Sequence, residues 1–230
     1  MITVVGTSAV ASAASGDVLV TPPTTVSDDI MVLSMAQRDT VVSTLPAGWT
    51  ISQQVNTGVF SMVMAWKKCV GAEAAFTVTH TAGAQIVARL TVYRGCMNTA
   101  GVVNVTGSIT GGPVHIPVTT TVSGGMAVFT LVMNANTAGF SNYSMRGFSS
   151  PNLLMERFLT FGDNAGGGGN KTIVASADAI IPFAQSGTLG ATKTGVVNPY
   201  LGYVVLTPAP EILTITAKVA RSPGQVVLAN

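Results

Sequence analysis

Apolar residues along this chain come in short runs, each cut by Gly, Pro, Ser, Thr or Asn. Alternation with a period of two recurs, and the 3.6-residue spacing of an amphipathic helix is nearly absent. Ile30–Ala36 is almost wholly apolar, which predicts a strand buried on both faces. From Phe60 to Lys67, Phe60, Met62, Met64 and Trp66 alternate with Ser61, Val63, Ala65 and Lys67. Further strands are predicted at Ile2–Val5, Asp17–Thr21, Trp49–Val55, Ala75–His80 and Ile86–Tyr93, punctuated by Pro22-Pro23 and Pro46-Ala47-Gly48. Asn152–Phe161 reads equally as a short helix or a strand. Many short strands separated by turn residues predict an all-β fold, an antiparallel sandwich rather than an α/β domain.

The second half of the chain starts over. Ser27–Met35 and Ser123–Leu131 are each a turn followed by an apolar strand, and Ala88–Tyr93 resembles Tyr203–Thr207. The echo, at a spacing of about 95 to 115 residues, is too loose for a solenoid. It predicts two similar sheets facing each other in one jelly-roll-like β-sandwich over residues 1–207, with halves of about 1–97 and 98–207. Pro208-Ala209-Pro210 then interrupts the pattern, because proline cannot donate to a sheet ladder. Residues 208–230 are expected to form a C-terminal hairpin or arm, with strands at Glu211–Val219 and Gln225–Leu228. That arm is placed against its own domain or a neighbouring subunit.

Composition sharpens this picture. Only 9% of the 230 residues are charged, 11 basic and 9 acidic, while 47% are hydrophobic and mean hydropathy is +0.50. An ordinary soluble domain is about 25% charged. Disorder is excluded, since it needs a polar, charged chain. No basic cluster is present, so no nucleic-acid partner is expected. A membrane-spanning helix needs about 20 nearly unbroken apolar residues, and no run approaches that. The apolar, Ala/Ser-rich N-terminus lacks a basic segment and is not read as a secretory signal. Cys69 and Cys96 match no zinc spacing; two buried reduced thiols are the default, a cross-strand disulfide the alternative.

Raw material for catalysis is thin. Nine carboxylates and two histidines are spread over the chain. His80 and His115 are read as hydrogen-bonded or surface strand residues. Glu73, Glu156 and Glu211 have no acidic companion within four residues, so a glycosidase pair is not expected. Asp28, Asp29 and Asp39 do not have the spacing of a calcium loop and are assigned to turns. Gly166, Gly167, Gly168 and Gly169, with Asn170-Lys171-Thr172, superficially resemble a phosphate loop, but a strand pattern follows where a helix would be required. Those glycines are read as a surface tip able to touch a partner, as are Glu211, Ile212, Leu213 and Ile215 of the arm. No cofactor, metal or catalytic residue is expected. Trp49 is read as a core anchor, and the ten Met as core or interface filler. A carbohydrate- or receptor-binding module is the competing reading, with Trp66, Tyr93, Tyr143 and Tyr200 as its candidate platform.

The order of elements resembles a known family. Ile2–Gly6 leads to Gly16-Asp17, then Asp29 opens a buried strand, Pro46-Ala47-Gly48-Trp49-Thr50 forms a turn, Trp66-Lys67-Lys68 ends a strand, and Glu73 and Tyr93-Arg94-Gly95 follow. This is similar to β-sandwich structural proteins of tailed bacteriophages and prophages, which serve as tail, fibre-associated or head decoration proteins. The similarity runs from Met1 to about Pro208 and is best over the first 95 residues. Cys69, Cys96 and the arm depart from it. It implies a non-enzymatic virion protein, assembled in the host cytoplasm. A capsid decoration or cement protein that bridges capsomers is the first expectation, and a tail, baseplate or fibre-attachment subunit the second. Partners would be the major capsid protein or other virion proteins and further copies of the chain, a trimer by analogy. Its contacts would bury apolar area and depend little on salt.

Overall fold

The computed structural model describes residues 1–38, 43–56, 61–80, 85–97, 105–108, 114–119, 124–135, 139–146, 156–163, 171–181, 186–194 and 200–210. These residues form antiparallel strands throughout. The first half contains β1 (Thr3–Thr7), β2 (Ala11–Ala13), β3 (Val18–Val20), β4 (Ile30–Gln37), β5 (Thr50–Asn56), β6 (Ser61–Lys68), β7 (Phe76–Val78) and β8 (Ile86–Arg94). The second contains β9 (Val105–Ser108), β10 (Val114–Thr119), β11 (Gly125–Ala135), β12 (Gly139–Arg146), β13 (Glu156–Asp163), β14 (Lys171–Ile181), β15 (Ser186–Thr194) and β16 (Tyr200–Leu206). Of the segment Asn152–Phe161, ambiguous in the sequence, Glu156–Phe161 lies in strand β13, and residues 152–155 lie outside the described residues. Among the described residues, no helix is long and apolar enough to cross a membrane.

The two halves share one plan. The first half builds a large sheet in the order β1-β8-β4-β6-β5, and the second builds β9-β16-β11-β14-β13. Counterparts occur in the same order along the chain. The small sheets match as well: β3 pairs with β7, and β10 with β15. An isolated bridge, Thr44 to Thr79, stands where β12 pairs with β15. Registers also agree. Ile30 pairs with Lys68 and Tyr93, and Met126 pairs with Ile180 and Leu206. Both outer strands also carry a bulge, between Ile51 and Gln53 in β5 and, one step further along in the common register, between Leu159 and Gly162 in β13. The sequence echo that aligned Ile30 with Met126 is therefore the register that the sheets use.

The large sheets pack face to face through a shared core. Ile2, Ile30, Val32, Met64, Tyr93 and Cys96 of the first half meet Met126, Val128, Val204 and Leu206 of the second. At the centre of this seam the Ser34 and Thr130 hydroxyls lie 2.5 Å apart. In the common register these two residues are counterparts. A residue meets its own counterpart only near a two-fold axis, as in an isologous dimer. The seam is thus a pseudo-two-fold contact within one chain. Gly202 also belongs to it: a Cβ there would fall 2.0 Å from Gln53 Oε1 and 2.9 Å from the Met62 methyl.

Two facing sheets are not the whole arrangement. The other face of β4, β6 and β8 carries Met31, Leu33, Met35, Val63, Ala65, Ile86, Ala88, Leu90 and Val92, all buried against Val18, Val20 and Val78. This third layer, β3 with β7, was not foreseen, although the two-sided burial of β4 was. A sheet that is apolar on both faces must be covered twice. Trp49, partly buried, packs on Phe76 with ring centroids 5.0 Å apart at the margin of this layer rather than in its core.

Candidate functional site

A dense set of side-chain bonds lies at one end of the first half, where β1 begins and β6 and β8 end. Asp29, fully buried, precedes β4. Its carboxylate accepts Arg94 Nε and Nη2, both at 2.8 Å, and the Val26 amide at 2.9 Å. The paired guanidinium holds the Asp29 carboxyl below its usual range, outweighing the opposing effect of burial. The backbones of Asp29 and Cys69 then clasp: Cys69 N–H donates to Asp29 O at 2.8 Å, and Asp28 N–H to Cys69 O at 3.0 Å. Asp28 takes a left-handed conformation, φ 71°, to make this turn.

A second set of bonds fixes the loop after β6. Thr25 Oγ1 donates to Gly71 O and accepts the Glu73 amide, at 2.9 and 2.8 Å. Glu73 pairs with Lys67 at 2.7 Å, and Asp28 with Lys68 at 2.6 Å. Ser27 Oγ donates to Val70 O at 3.3 Å. The result is a stapled pair of loops that holds Val70 85% exposed and Val26 46% exposed. Met1, before β1, and Met97, after β8, are exposed at the same end of the sheet. Gly95 separates these methionines; its φ is +81°, and a Cβ would sit 2.5 Å from Met1 O, so only glycine fits. This end therefore presents an apolar surface on a rigid support. Asp28 and Asp29 serve turns and ion pairs; Asp39 lies outside the described residues.

Both cysteines are buried and free. Burial, reinforced by the charges of Glu73 and Asp29, pushes the Cys69 thiol up to about 11. Burial pushes Cys96 up to about 12. Near neutral pH burial therefore favours the thiol over the thiolate at both positions.

A polar cluster lies where β4 ends. Ser43 Oγ donates to Gln37 Oε1 and is 3.2 Å from His80 Nδ1, while Gln37 Nε2 donates to Ser61 Oγ at 3.2 Å. All four residues are buried. A serine nucleophile gives its proton to a base whose ring a carboxylate orients. Here Ser43 donates to Gln37, and Asp17 accepts the backbone amide of His80. The network satisfies buried polar groups. The sequence placed His80 on a strand as a hydrogen-bonded residue; it could not name Ser43 or Gln37, whose approach depends on the third layer.

The remaining expectations divide. Tyr93 is fully buried and donates to Asp178 Oδ2 at 3.0 Å, and Trp66 packs at the seam. Tyr93 is therefore not open to a sugar, while Trp66 is only partly buried. Tyr143 and Tyr200 lie in β12 and β16, and His115 in β10, with side chains outside the description. Strand β14 starts at Lys171, so the Gly166–Gly169 segment leads into a strand, as the sequence indicates. Gly166, Gly167, Gly168, Gly169, Glu211, Ile212, Leu213 and Ile215 themselves lie outside the described residues. Among the described residues no group of His, Cys, Asp and Glu could hold a metal ion. No family model, curated protein or solved structure matches this chain.

Proposed function

We propose that this chain is a non-enzymatic structural protein of a bacteriophage virion, a decoration or cement protein on the head that bridges capsomers. The observation that carries this reading is the rigid end bearing Val26, Val70, Met1 and Met97 on a chain only 9% charged. A stapled, exposed apolar surface suits contact with another protein. The order of elements from Ile2 to Gly95, with its similarity to tailed-phage structural proteins, supplies the setting. We read each half as one jelly-roll-like unit, since its chain alternates between a large and a small sheet. Self-association, as a trimer, and contact with the major capsid protein complete the proposal.

Localisation on intact particles tests it. Labelled protein should lie on the head, and density confined to the tail would reassign it to the tail, baseplate or fibre attachment. Because few ion pairs are available, the protein should stay on particles washed in about 1 M salt, where the screening length is near 3 Å. Release in moderate salt would contradict an apolar contact.

A further inference from the structure

The seam is two-fold in its backbone but not in its side chains. Tyr93 and Leu206 are counterparts, standing opposite Ile30 and Met126 in their sheets. Trp66 and Asp178 are counterparts as well, opposite Val32 and Val128. The pseudo-two-fold therefore relates the Tyr93–Asp178 contact to a contact between Leu206 and Trp66. The first is a hydrogen bond of 3.0 Å between buried groups. The second is apolar, with Trp66 packed on the cluster that holds Leu206. Another pair of counterparts differs in size: Arg89 stands opposite Ser34, and Gly202 opposite Thr130. Gln53 and Met62 fill the space over Gly202. The counterpart of Met62 is the smaller Val174, which stands opposite Val132 as Met62 stands opposite Ala36.

We propose that these contacts make the seam selective, so that each half accepts the opposite half and rejects a second copy of itself. Two first halves joined in the same way would set each Tyr93 hydroxyl against Trp66, without the carboxylate that accepts it. They would also set each Arg89 against Met62 and Gln53, where glycine now stands. Two second halves would set each Asp178 carboxylate against Leu206, without the Tyr93 donor, and would face Gly202 with Val174, leaving a void. Buried polar groups that lose a partner and unfilled voids both cost stability. A two-fold pairing of like halves incurs each defect twice. Selectivity of this kind comes from penalising the wrong partner as much as from fitting the right one. The same chain supplies the opposite half, at the high effective concentration of a tethered unit. The seam therefore closes within one chain, and copies that associate do so through other surfaces. This inference does not rest on the virion reading.

Thermal melting of the full-length protein, with two positions varied singly and together at one protein concentration, tests the selectivity. Asp178→Trp gives Tyr93 the neighbour it would meet between two first halves. Tyr93→Leu gives Asp178 the neighbour it would meet between two second halves. Each single variant should melt about 5 °C or more below the parent, since a buried polar group loses its partner. The double variant Tyr93→Leu/Asp178→Trp recreates the Leu206–Trp66 contact at the mirrored place, and it should melt above both single variants. A single variant that melts with the parent would overturn the proposal. So would a double variant that melts no higher than the less stable single one, because the mirrored contact would then not be accepted. If Asp178→Trp yields no folded protein, Asp178→Leu takes its place beside Tyr93→Leu, and the same outcomes decide.

Discussion

Asp29 illustrates how one side chain organises a surface. It is the only carboxylate in its loop that is fully buried, and it meets three donors. Its replacement by Ala removes two charge-assisted bonds and leaves the Val26 amide unpaired. The expected loss is about 2 kcal/mol near neutral pH, less than for a fully buried pair because Arg94 can return to water. The pH dependence has a definite sign. The folded-state pKa of Asp29 is depressed, so its contribution is complete above the unfolded value near 4 and disappears as pH falls through the folded value. Thermal melts of the parent and Asp29→Ala should therefore differ most above about pH 5 and converge toward pH 2. Melts offset equally at all pH values would contradict the assigned pairing.

At the scale of elements, the sheet edges are protected against further pairing. Bulges interrupt β1, β5, β12 and β13, while β3 and β9 are only 3 and 4 residues long. The longer regular edge, β10, contains Pro117 opposite Thr188. An edge strand accepts proline only where its nitrogen faces away from the neighbour, so Pro117 withholds a donor from an incoming strand. Pro117→Val should leave the fold intact and promote concentration-dependent association, seen by light scattering. A variant that stays as dispersed as the parent would show that this edge needs no protection. Bulges of this kind were not legible in the sequence, because the extra residue is defined only against its partner strand.

The whole molecule behaves as two copies of one unit joined in tandem. Both halves present the same sheet face, and Ser34 and Thr130 meet near the axis. The first and last described residues lie close together, since Met1 and Ala209 both adjoin Gly95. A permuted chain that joins residue 230 to residue 1 and opens between residues 97 and 105 exchanges the order of the halves. It should fold with the same seam and melt within a few degrees of the parent. Circular dichroism and thermal melting decide; an unfolded permuted chain would mean that the order of the halves is needed for the seam.

The sequence by itself determined the strand class, the central buried strand at Ile30–Ala36 and the relation between Ile30 and Met126. Each follows from local periodicity and turn chemistry, which neighbouring residues specify. Only the tertiary structure decided the third layer, the pseudo-two-fold seam and the cluster at Ser43, Gln37 and His80. Those depend on which distant strands pair and which faces meet, and burial is a property of the assembled sheets rather than of any segment. The scarcity of charge takes its meaning there too: β4, β6 and β8 are covered on both faces, so their side chains are apolar wherever hydrogen bonding does not compensate.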